Sequence, residues 1–269
     1  MQLPQIGLHH ARVQRVLEIQ RNTAPNPERL LVAEGLWAHD LVLQAETPIH
    51  TFLWCPELAR TEDVHGRAAR ASERAHASYE ISAKTLTRIS ERERPDGLLS
   101  LVALPSADPQ RLQVRDDALV LAADAIESPG NLGTLIRTLD ACAADCLLLT
   151  NRRTRLTHPK VFRASQGRVL TLPVLDLERP ETAIAWLRRH RFEILLADTS
   201  ADATYRSLDY KRGRTAFVIG AEKYGIHPDW QAAPARRVRI PMLGTVDSLN
   251  VAIAASILLF EARAQKQRW

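Results

Sequence analysis

The sequence predicts an α/β protein built in two parts, and three observations carry this prediction. Short apolar segments of strand length alternate with segments of helical apolar spacing along the 269 residues, as in layered α/β domains. The later strands, such as residues 118–123, are continuously apolar, which is typical of parallel strands buried on both faces. Two prolines, Pro105 and Pro109, enclose polar residues and indicate an exposed turn.

The turn divides the chain into a first domain at residues 1–105, a linker at 106–117 and a second domain at 118–269. In the first domain the apolar spacing predicts helices and strands in alternation, with Ser82 as the N-cap of the last helix. The predicted helices are 13–19, 36–44, 65–77 and the segment after Ser82, and the predicted strands are 30–35, 51–54, 79–81 and 98–104.

The second domain alternates more regularly and predicts a mostly parallel sheet with helices on both faces. The predicted strands are residues 118–123, 146–150, 170–175, 194–197, 215–219 and 238–240. The predicted helices are 131–144, 158–166, 181–190 and a terminal helix from 248 to about 265, with Asp247 or Ser248 as its N-cap.

Charge and composition narrow the class of protein. The net charge is +5, and the basic residues are mostly arginine, which binds phosphate in a bidentate way and stacks on bases. This balance suits a nucleic-acid partner, although many basic proteins bind none. No apolar run reaches the length of a membrane span, and the first residues lack the basic and apolar blocks of a signal peptide. We therefore expect a cytoplasmic protein without a membrane segment.

The three cysteines do not indicate a metal site. Cys142 and Cys146 lie four residues apart on a predicted helix and could share a face, while Cys55 is distant in sequence. A zinc site would need two further ligands at suitable spacing, and none is present. We therefore interpret the cysteines as small buried apolar residues and predict no metal.

The first motif is PGNLG at residues 129–133, which follows a strand and opens a helix. Glycines there allow close approach of a ligand, and the free N–H groups of a helix start attract anions. Arg137 follows Asn131 by about one and two-thirds helical turns. A plain strand-to-helix turn with a surface arginine would look the same. The glycine spacing does not match a dinucleotide fingerprint, which disfavours a Rossmann oxidoreductase.

The second motif is GAEKYG at residues 220–225, directly after the strand 215–219. A loop at the carboxyl end of a strand is where α/β proteins bind ligands. Glu222 could orient an arginine or a ligand hydroxyl, and a surface turn with a solvated glutamate is the alternative.

The third motif joins IPM at residues 240–242 to DSLN at 247–250, where the terminal helix starts. Ser248 and Asn250 offer neutral hydrogen-bonding groups near the helix N-terminus. Ordinary helix capping is the alternative interpretation.

In this order and spacing, the three motifs resemble the SpoU/TrmH branch of the SPOUT RNA methyltransferases. The resemblance covers residues 118–265 and includes RASQG at 163–167. The first domain is more loosely similar to the family's ribosomal-protein-like substrate-binding domain, through LVAEG at 31–35 and PDGLL at 95–99. The resemblance implies a deep trefoil knot in the second domain, a homodimer, and methyl transfer from S-adenosylmethionine to a ribose 2′-hydroxyl of RNA.

The resemblance also implies two sets of site residues. The implied cofactor-binding residues act mainly through backbone groups and are Leu196, Ala197, Gly220, Ile240 and Leu249. The implied catalytic residues are Asn131, Arg137, Glu222, Ser248 and Asn250.

Methyl transfer to a ribose mainly requires that the reacting groups are positioned and that the oxygen that loses its proton is stabilised. Arginine is normally protonated, so we prefer Arg137 as an electrostatic stabiliser and phosphate anchor. Its action as general base is a second hypothesis. Glu222 would hold Arg137 or the ribose, and Asn131 would orient the nucleotide.

Within the family that the chain resembles, members that act on transfer RNA often carry only short flanking extensions, so the separate first domain favours ribosomal RNA as the substrate. Three alternatives stay open. The methylation could protect against a ribosome-targeting antibiotic, the substrate could be a transfer RNA, or the protein could be a non-catalytic knotted RNA-binding protein. The residues expected to face RNA are Arg12, Arg15, Arg21, Arg29, Arg88, Arg163 and Ser165, and solvated surface positions are the alternative for the arginines.

Overall fold

A computed structural model describes residues 2–268 of the chain. These residues form two compact units, which are described separately. The first unit extends to Pro105 and includes Thr157–Pro159, and the second comprises Ser106–Leu156 and the chain from Lys160 onward.

The first unit is a four-stranded sheet with helices. Its strands lie in the order β1-β4-β2-β3, in which β4 is antiparallel to both β1 and β2, and β3 is parallel to β2. Its elements are α1 (Ala11–Arg21), β1 (Leu30–Glu34), α2 (Leu36–Gln44), β2 (Ile49–Trp54), α3 (Glu62–Arg74), β3 (Ser78–Glu80), α4 (Ala83–Ile89) and β4 (Leu98–Ala103).

Helical spacing accounts for the packing of α1 in this unit. Val13, Val16 and Ile19 recur at intervals of three residues, are buried, and join a core that includes Leu30 and Leu53. The predicted cap of the last helix is confirmed, because the Ser82 side chain accepts a hydrogen bond from the backbone of α4.

The second unit is a six-stranded sheet in which every strand pairing is parallel. The strand order is β10-β8-β9-β5-β6-β7. Its elements are β5 (Leu119–Asp124), α5 (Pro129–Ala141), β6 (Cys146–Thr150), α6 (Pro159–Ala164), β7 (Val174–Asp176), α7 (Pro180–Arg189), β8 (Phe192–Ala197), β9 (Arg214–Ile219), β10 (Ala235–Val238) and α8 (Val251–Gln267). The predicted α/β class with a mostly parallel sheet is confirmed, and the knot stays a prediction.

The strand order places a change of direction beside β5. The chain runs from β5 outward through β6 to β7, and it then returns to β8 and β9 on the other side of β5. Crevices at such points, outside the carboxyl ends of the strands, are the usual ligand sites of open α/β sheets. The ends of β5, β8 and β9 are therefore where a site is expected.

The predicted linker packs along the second unit. Trp186 Nε1 donates to the carbonyl oxygen of Pro109 at 3.0 Å, and Leu112 and Val114 pack against the core of the sheet. Arg214 also donates to the carbonyl oxygen of Val114 at 3.1 Å.

Four predicted details in the second unit are wrong. The last strand, predicted at residues 238–240, is β10 at Ala235–Val238. Cys142 lies just after α5 and Cys146 begins β6, so the two thiols are not on one helix. Strand β7 starts only at Val174, because a short 3-10 turn occupies Arg168–Leu170. The helix α8 begins at Val251 rather than at residue 248.

Within residues 2–268, no helix combines the length and apolar content required to cross a bilayer.

Candidate active site

The start of α5 presents Asn131 in the first turn of a capped helix. The Ser128 hydroxyl accepts a hydrogen bond from the Asn131 backbone N–H at 3.4 Å, and Pro129 occupies the first helical position. Proline is favoured there because its missing N–H has no partner within the helix in any case. The cap therefore fixes where the Asn131 side chain leaves the helix.

The loop after β9, residues 220–225, closes on itself. Ala221 and Gly225 exchange two backbone hydrogen bonds, of 3.0 and 2.8 Å. The turn brings Gly220 so close to Gly225 that a Cβ atom on Gly220 would lie 2.0 Å from the Gly225 carbonyl carbon. Only glycine fits at position 220. The tight loop holds Glu222 near the end of β9, the strand that lies beside β5.

The N-cap of α8 is Asn250, so the prediction of Asp247 or Ser248 is wrong. The Asn250 side-chain oxygen accepts from the backbone of Ala252 at 2.9 Å and of Ile253 at 3.4 Å. Ser248 lies before the helix, is exposed, and its hydroxyl donates to Asp247. The short side chain of asparagine satisfies two orphan N–H groups at once, which is why the helix starts here.

Asn131 joins the three motifs. Its amide nitrogen donates to Glu222 Oε1, and its amide oxygen accepts from Asn250 Nδ2 at 3.2 Å. One side chain from each motif therefore meets at a single point, although Asn131, Glu222 and Asn250 are far apart in sequence. The Asn131 amide is held in one orientation, since each of its two ends already has a partner.

Arg137 stands apart from this group. Its side chain is exposed on α5 and forms no hydrogen bond or ion pair with any described residue. Glu222 contacts Asn131 instead of Arg137, in contrast to one of the two roles expected for it. The guanidinium of Arg137 is therefore open to a ligand.

A cavity of about 590 Å³ lies beside the Asn131 group, a size common for small-molecule sites. Its walls come from the ends of β8, β9 and β10 and from the start of α8. All five predicted cofactor residues line the cavity: Leu196, Ala197, Gly220, Ile240 and Leu249. Glu222, Ser248 and Asn250 also line it, so the cavity and the polar group are continuous.

Three charged lining residues, Asp198, Arg237 and Arg239, were missed in the sequence. Asp198 Oδ1 accepts from the Ser200 backbone at 2.9 Å and from the Ser200 hydroxyl at 2.7 Å. Arg237 Nη1 donates to Asp198 Oδ2 at 3.0 Å. The hydrogen bond from the Ser200 hydroxyl, with Arg237 nearby, lowers the pKa of Asp198 below its ordinary value. The sequence signal that could have indicated Asp198 is its position directly after a buried strand.

The arginines expected to face RNA in the first unit have different surroundings. Arg15 is ion-paired with Glu18 at 3.1 Å and with Glu28 at 3.0 Å, and Arg12 lies 3.5 Å from His50. The other three have diverse positions: Arg21 and Arg88 are exposed in the last turns of α1 and α4, and Arg29 is partly buried.

In the second unit, Arg163 is exposed on α6, whereas Ser165 is fully buried. The Ser165 hydroxyl donates to the Phe162 carbonyl oxygen at 3.1 Å and accepts from the Val169 backbone at 3.4 Å. The RNA-facing position predicted for Ser165 is wrong, because its hydroxyl is used in closing the turn after α6. In the described part of the chain, no three metal-binding side chains cluster, and the three cysteines are buried and free.

Comparison with known proteins shows which family the chain belongs to. The sequence model of the SpoU rRNA Methylase family matches residues 118–260, which is more than half of the chain. A 23S rRNA (uridine(2479)-2′-O)-methyltransferase from Streptomyces viridochromogenes is 31% identical over 181 residues, which cover 65% of this chain and 63% of that protein.

Two solved structures share the fold over nearly the whole chain. An AdoMet-bound rRNA methyltransferase from Sinorhizobium meliloti has a TM-score of 0.84 at 28% identity and covers 96% of this chain and 97% of its own. The SpoU methyltransferase AviRb from Streptomyces viridochromogenes, in complex with AdoMet, has a TM-score of 0.81 at 25% identity and covers 97% and 100%. The chain belongs to the SpoU rRNA methylase family.

Proposed function

We propose that this protein transfers a methyl group from S-adenosylmethionine to a ribose 2′-hydroxyl of ribosomal RNA. One observation carries the proposal: the cavity lined by all five predicted cofactor residues opens onto the hydrogen-bonded group of Asn131, Glu222 and Asn250. The Streptomyces viridochromogenes relative and the Sinorhizobium meliloti structure are both named for ribosomal RNA, which supports the choice of substrate.

The residues of the cavity fit S-adenosylmethionine. Leu196, Ile240 and Leu249 would provide apolar contacts to the cofactor, and the backbone groups at the strand ends would hydrogen-bond it. Glu222 supplies a carboxylate near a ligand that carries a sulfonium charge, whereas Asp198 is already ion-paired with Arg237. When bound, the cofactor supplies a methyl group already activated on sulfur.

The protein must then orient the ribose and manage its proton. To Asn131, which is held by Glu222 and Asn250, we assign the orientation of the nucleotide. To Arg137, which is exposed and without a partner among the described residues, we assign the binding of a phosphate and the stabilisation of negative charge on the 2′-oxygen. Action of Arg137 as general base is the second hypothesis, and it requires a deprotonated guanidine.

We further propose that the protein is a homodimer formed through α8. Ile253 and Phe260 on this helix are 51% and 39% exposed, and Ile257 between them is partly exposed. Their spacing of four and three residues makes one apolar stripe on the helix surface. A second copy of the chain is the occupant we assign to it. Action on ribosomal RNA also fits the cytoplasmic location predicted above.

A tritium-transfer assay tests the function. Purified protein is incubated with methyl-labelled S-adenosylmethionine and total unmodified RNA, and the RNA is then separated by size. We expect label in ribosomal RNA, and we expect Arg137→Ala and Arg137→Lys to lower turnover by about 100-fold or more, in the range seen when one electrostatic donor is removed. Cofactor affinity should change little, because Arg137 does not line the cavity.

Arg189→Ala, which removes an exposed arginine on α7, is the matched control and should keep wild-type turnover. Label in transfer RNA would overturn the substrate but keep the reaction. Absence of both label and cofactor binding would favour a non-catalytic RNA-binding protein, and normal turnover of both Arg137 variants would contradict the mechanism.

A further inference from the structure

Asp124 is a buried acid that the proposed catalytic set does not use. It is the last residue of β5, is fully buried, and is the only buried aspartate or glutamate among residues 2–268. Burying an ionised carboxylate is costly unless hydrogen bonds replace its water. The carboxylate of Asp124 must therefore be stabilised by hydrogen-bond donors inside the protein.

Three donors, from two different segments, surround the carboxylate. Thr150 Oγ1 and Asn151 Nδ2 donate to Oδ1 at 2.8 and 2.9 Å, and both belong to the end of the neighbouring strand β6. The backbone N–H of His227 donates to Oδ2 at 2.9 Å. One oxygen thus binds β6, and the other binds the chain that follows the glycine loop 220–225.

The hydrogen bond to His227 fixes the far end of the glycine loop. The near end is fixed by β9, which runs beside β5 with Ile219 opposite Ala123. Between the two ends lie Glu222, which binds Asn131, and Ile226, which lines the cavity. The bond to Asp124 is the hydrogen-bond anchor of this far end, and Ile226 and Trp230 also hold it by packing against the core of the sheet.

We propose that Asp124 is a positioning residue, which holds the loop 220–227 in the shape that completes the cofactor cavity and presents Glu222 to Asn131. It touches neither cavity nor solvent and acts only through the His227 backbone. The inference rests on the proposed function for the meaning of the cavity, but the anchoring itself is measurable without cofactor or RNA.

The chemistry of the three donors predicts which substitutions are tolerated. A hydroxyl and a side-chain amide can turn and become acceptors, whereas a backbone N–H can only donate. In Asp124→Asn, the new amide can therefore keep its oxygen toward His227 and give its N–H groups to Thr150 and Asn151. In Asp124→Leu, which has a similar size and no acceptor, the His227 N–H loses its partner.

Thr150→Val provides a matched control for a purely structural effect. It removes one hydrogen bond from Oδ1 with little change of shape, and it leaves the Oδ2 bond to His227 in place. If Asp124 matters only for the general stability of the sheet, Thr150→Val and Asp124→Leu should affect cofactor binding in proportion to their thermal destabilisation.

The experiment combines calorimetric titration with S-adenosylmethionine and hydrogen exchange of the cofactor-free protein, with folding of each variant checked by circular dichroism. We expect Asp124→Leu to weaken cofactor binding at least tenfold and to speed exchange in residues 220–227. Asp124→Asn should stay within threefold of the wild type, and Thr150→Val within twofold even where its melting temperature falls.

The wild-type protein provides a test that does not depend on a variant that folds. The His227 amide should exchange much more slowly than the exposed amides of Lys223 and Tyr224, and equal rates for the three would overturn the proposal. Unchanged cofactor affinity in folded Asp124→Leu would also overturn it. Lack of cofactor binding by the wild type, together with a protected His227 amide, would instead contradict the proposed function and leave the anchoring intact.

Discussion

At the scale of single residues, the candidate site is defined by which side chains form hydrogen bonds with one another. Sequence patterns and the family resemblance were sufficient to single out Asn131, Glu222 and Asn250. They did not show that Asn131 binds both of the others, because contacts between residues about 90 and 120 positions apart depend on how the sheet is ordered. The carboxylates Asp124 and Asp198 were missed for the same reason, since each has partners on a different strand or loop.

A buried histidine in the first unit gives a prediction about pH. His39 is fully buried, with Nδ1 2.9 Å from the Gly35 carbonyl oxygen and Nε2 2.9 Å from the Ser100 hydroxyl. Because a carbonyl only accepts, Nδ1 carries the proton and Nε2 accepts from Ser100. Burial lowers the pKa of His39 below its ordinary value, so the unfolded chain binds this proton more readily than the folded protein does.

This difference in proton binding between the folded and unfolded states sets the direction in which stability changes with pH. The contribution of His39 to stability is fully present above the ordinary histidine pKa of about 6.5 and is lost as the pH falls below it. We expect urea unfolding, followed by circular dichroism from pH 8 to pH 5, to show a loss of stability that is smaller in His39→Gln. At pH 8, the difference in the free energy of unfolding between the wild type and His39→Gln reports packing alone. An identical pH dependence in both proteins would show that His39 does not contribute.

At the scale of elements, most helices and strands follow from apolar spacing, and their ends follow from local chemistry. Helix α2 agrees with its prediction at both ends, and α4 has the predicted cap. The start of α8 was predicted too early, because Asp247, Ser248 and Asn250 are all good capping residues. The choice of Asn250 is consistent with its second bond, to Asn131, which no local pattern contains.

The glycine at 133 gives a prediction about the packing of α5 on α6. A Cβ atom there would lie 2.6 Å from the Ala164 Cβ and 2.8 Å from the Val161 carbonyl oxygen, so α6 would have to move. We expect Gly133→Ala to lower the free energy of unfolding by about 1–3 kcal/mol, as overpacking does. Urea denaturation measures this change.

Gly130, in the same motif, is the matched control. A Cβ atom at Gly130 meets only the Ser128 hydroxyl, at an ordinary 3.6 Å. We expect Gly130→Ala to unfold at the wild-type urea concentration or above it. Equal destabilisation by the two substitutions would mean that the contact with α6 is not the cause.

At the scale of the whole molecule, the alternation of strands and helices predicts the α/β class and the parallel sheet, both of which are confirmed. The order of the strands was not predictable, because several orders would bury the same apolar strands equally well. The order matters for function, since it places the ends of β8, β9 and β10 around one cavity. The trefoil knot and the division of labour between the domains stay predictions that rest on the family resemblance.

Assembly gives a prediction at this scale. If the apolar stripe on α8 binds a second copy, Ile253→Glu combined with Phe260→Glu should convert a dimer into a monomer, because buried unpaired charges oppose association. Sedimentation equilibrium at micromolar concentration measures this. Ala185→Glu, at an exposed position on α7, should leave the dimer intact. A monomeric wild type would contradict the proposed assembly.

The measurement that tests the central claim most directly is alkaline hydrolysis of ribosomal RNA labelled by this protein from methyl-tritiated S-adenosylmethionine. Alkali cleaves RNA through attack of the 2′-oxygen on the adjacent phosphate, and a methyl group on that oxygen blocks the cleavage. The account predicts that the label remains in an alkali-resistant dinucleotide. Label released with single nucleotides would place the methyl group on a base and would contradict transfer to the ribose.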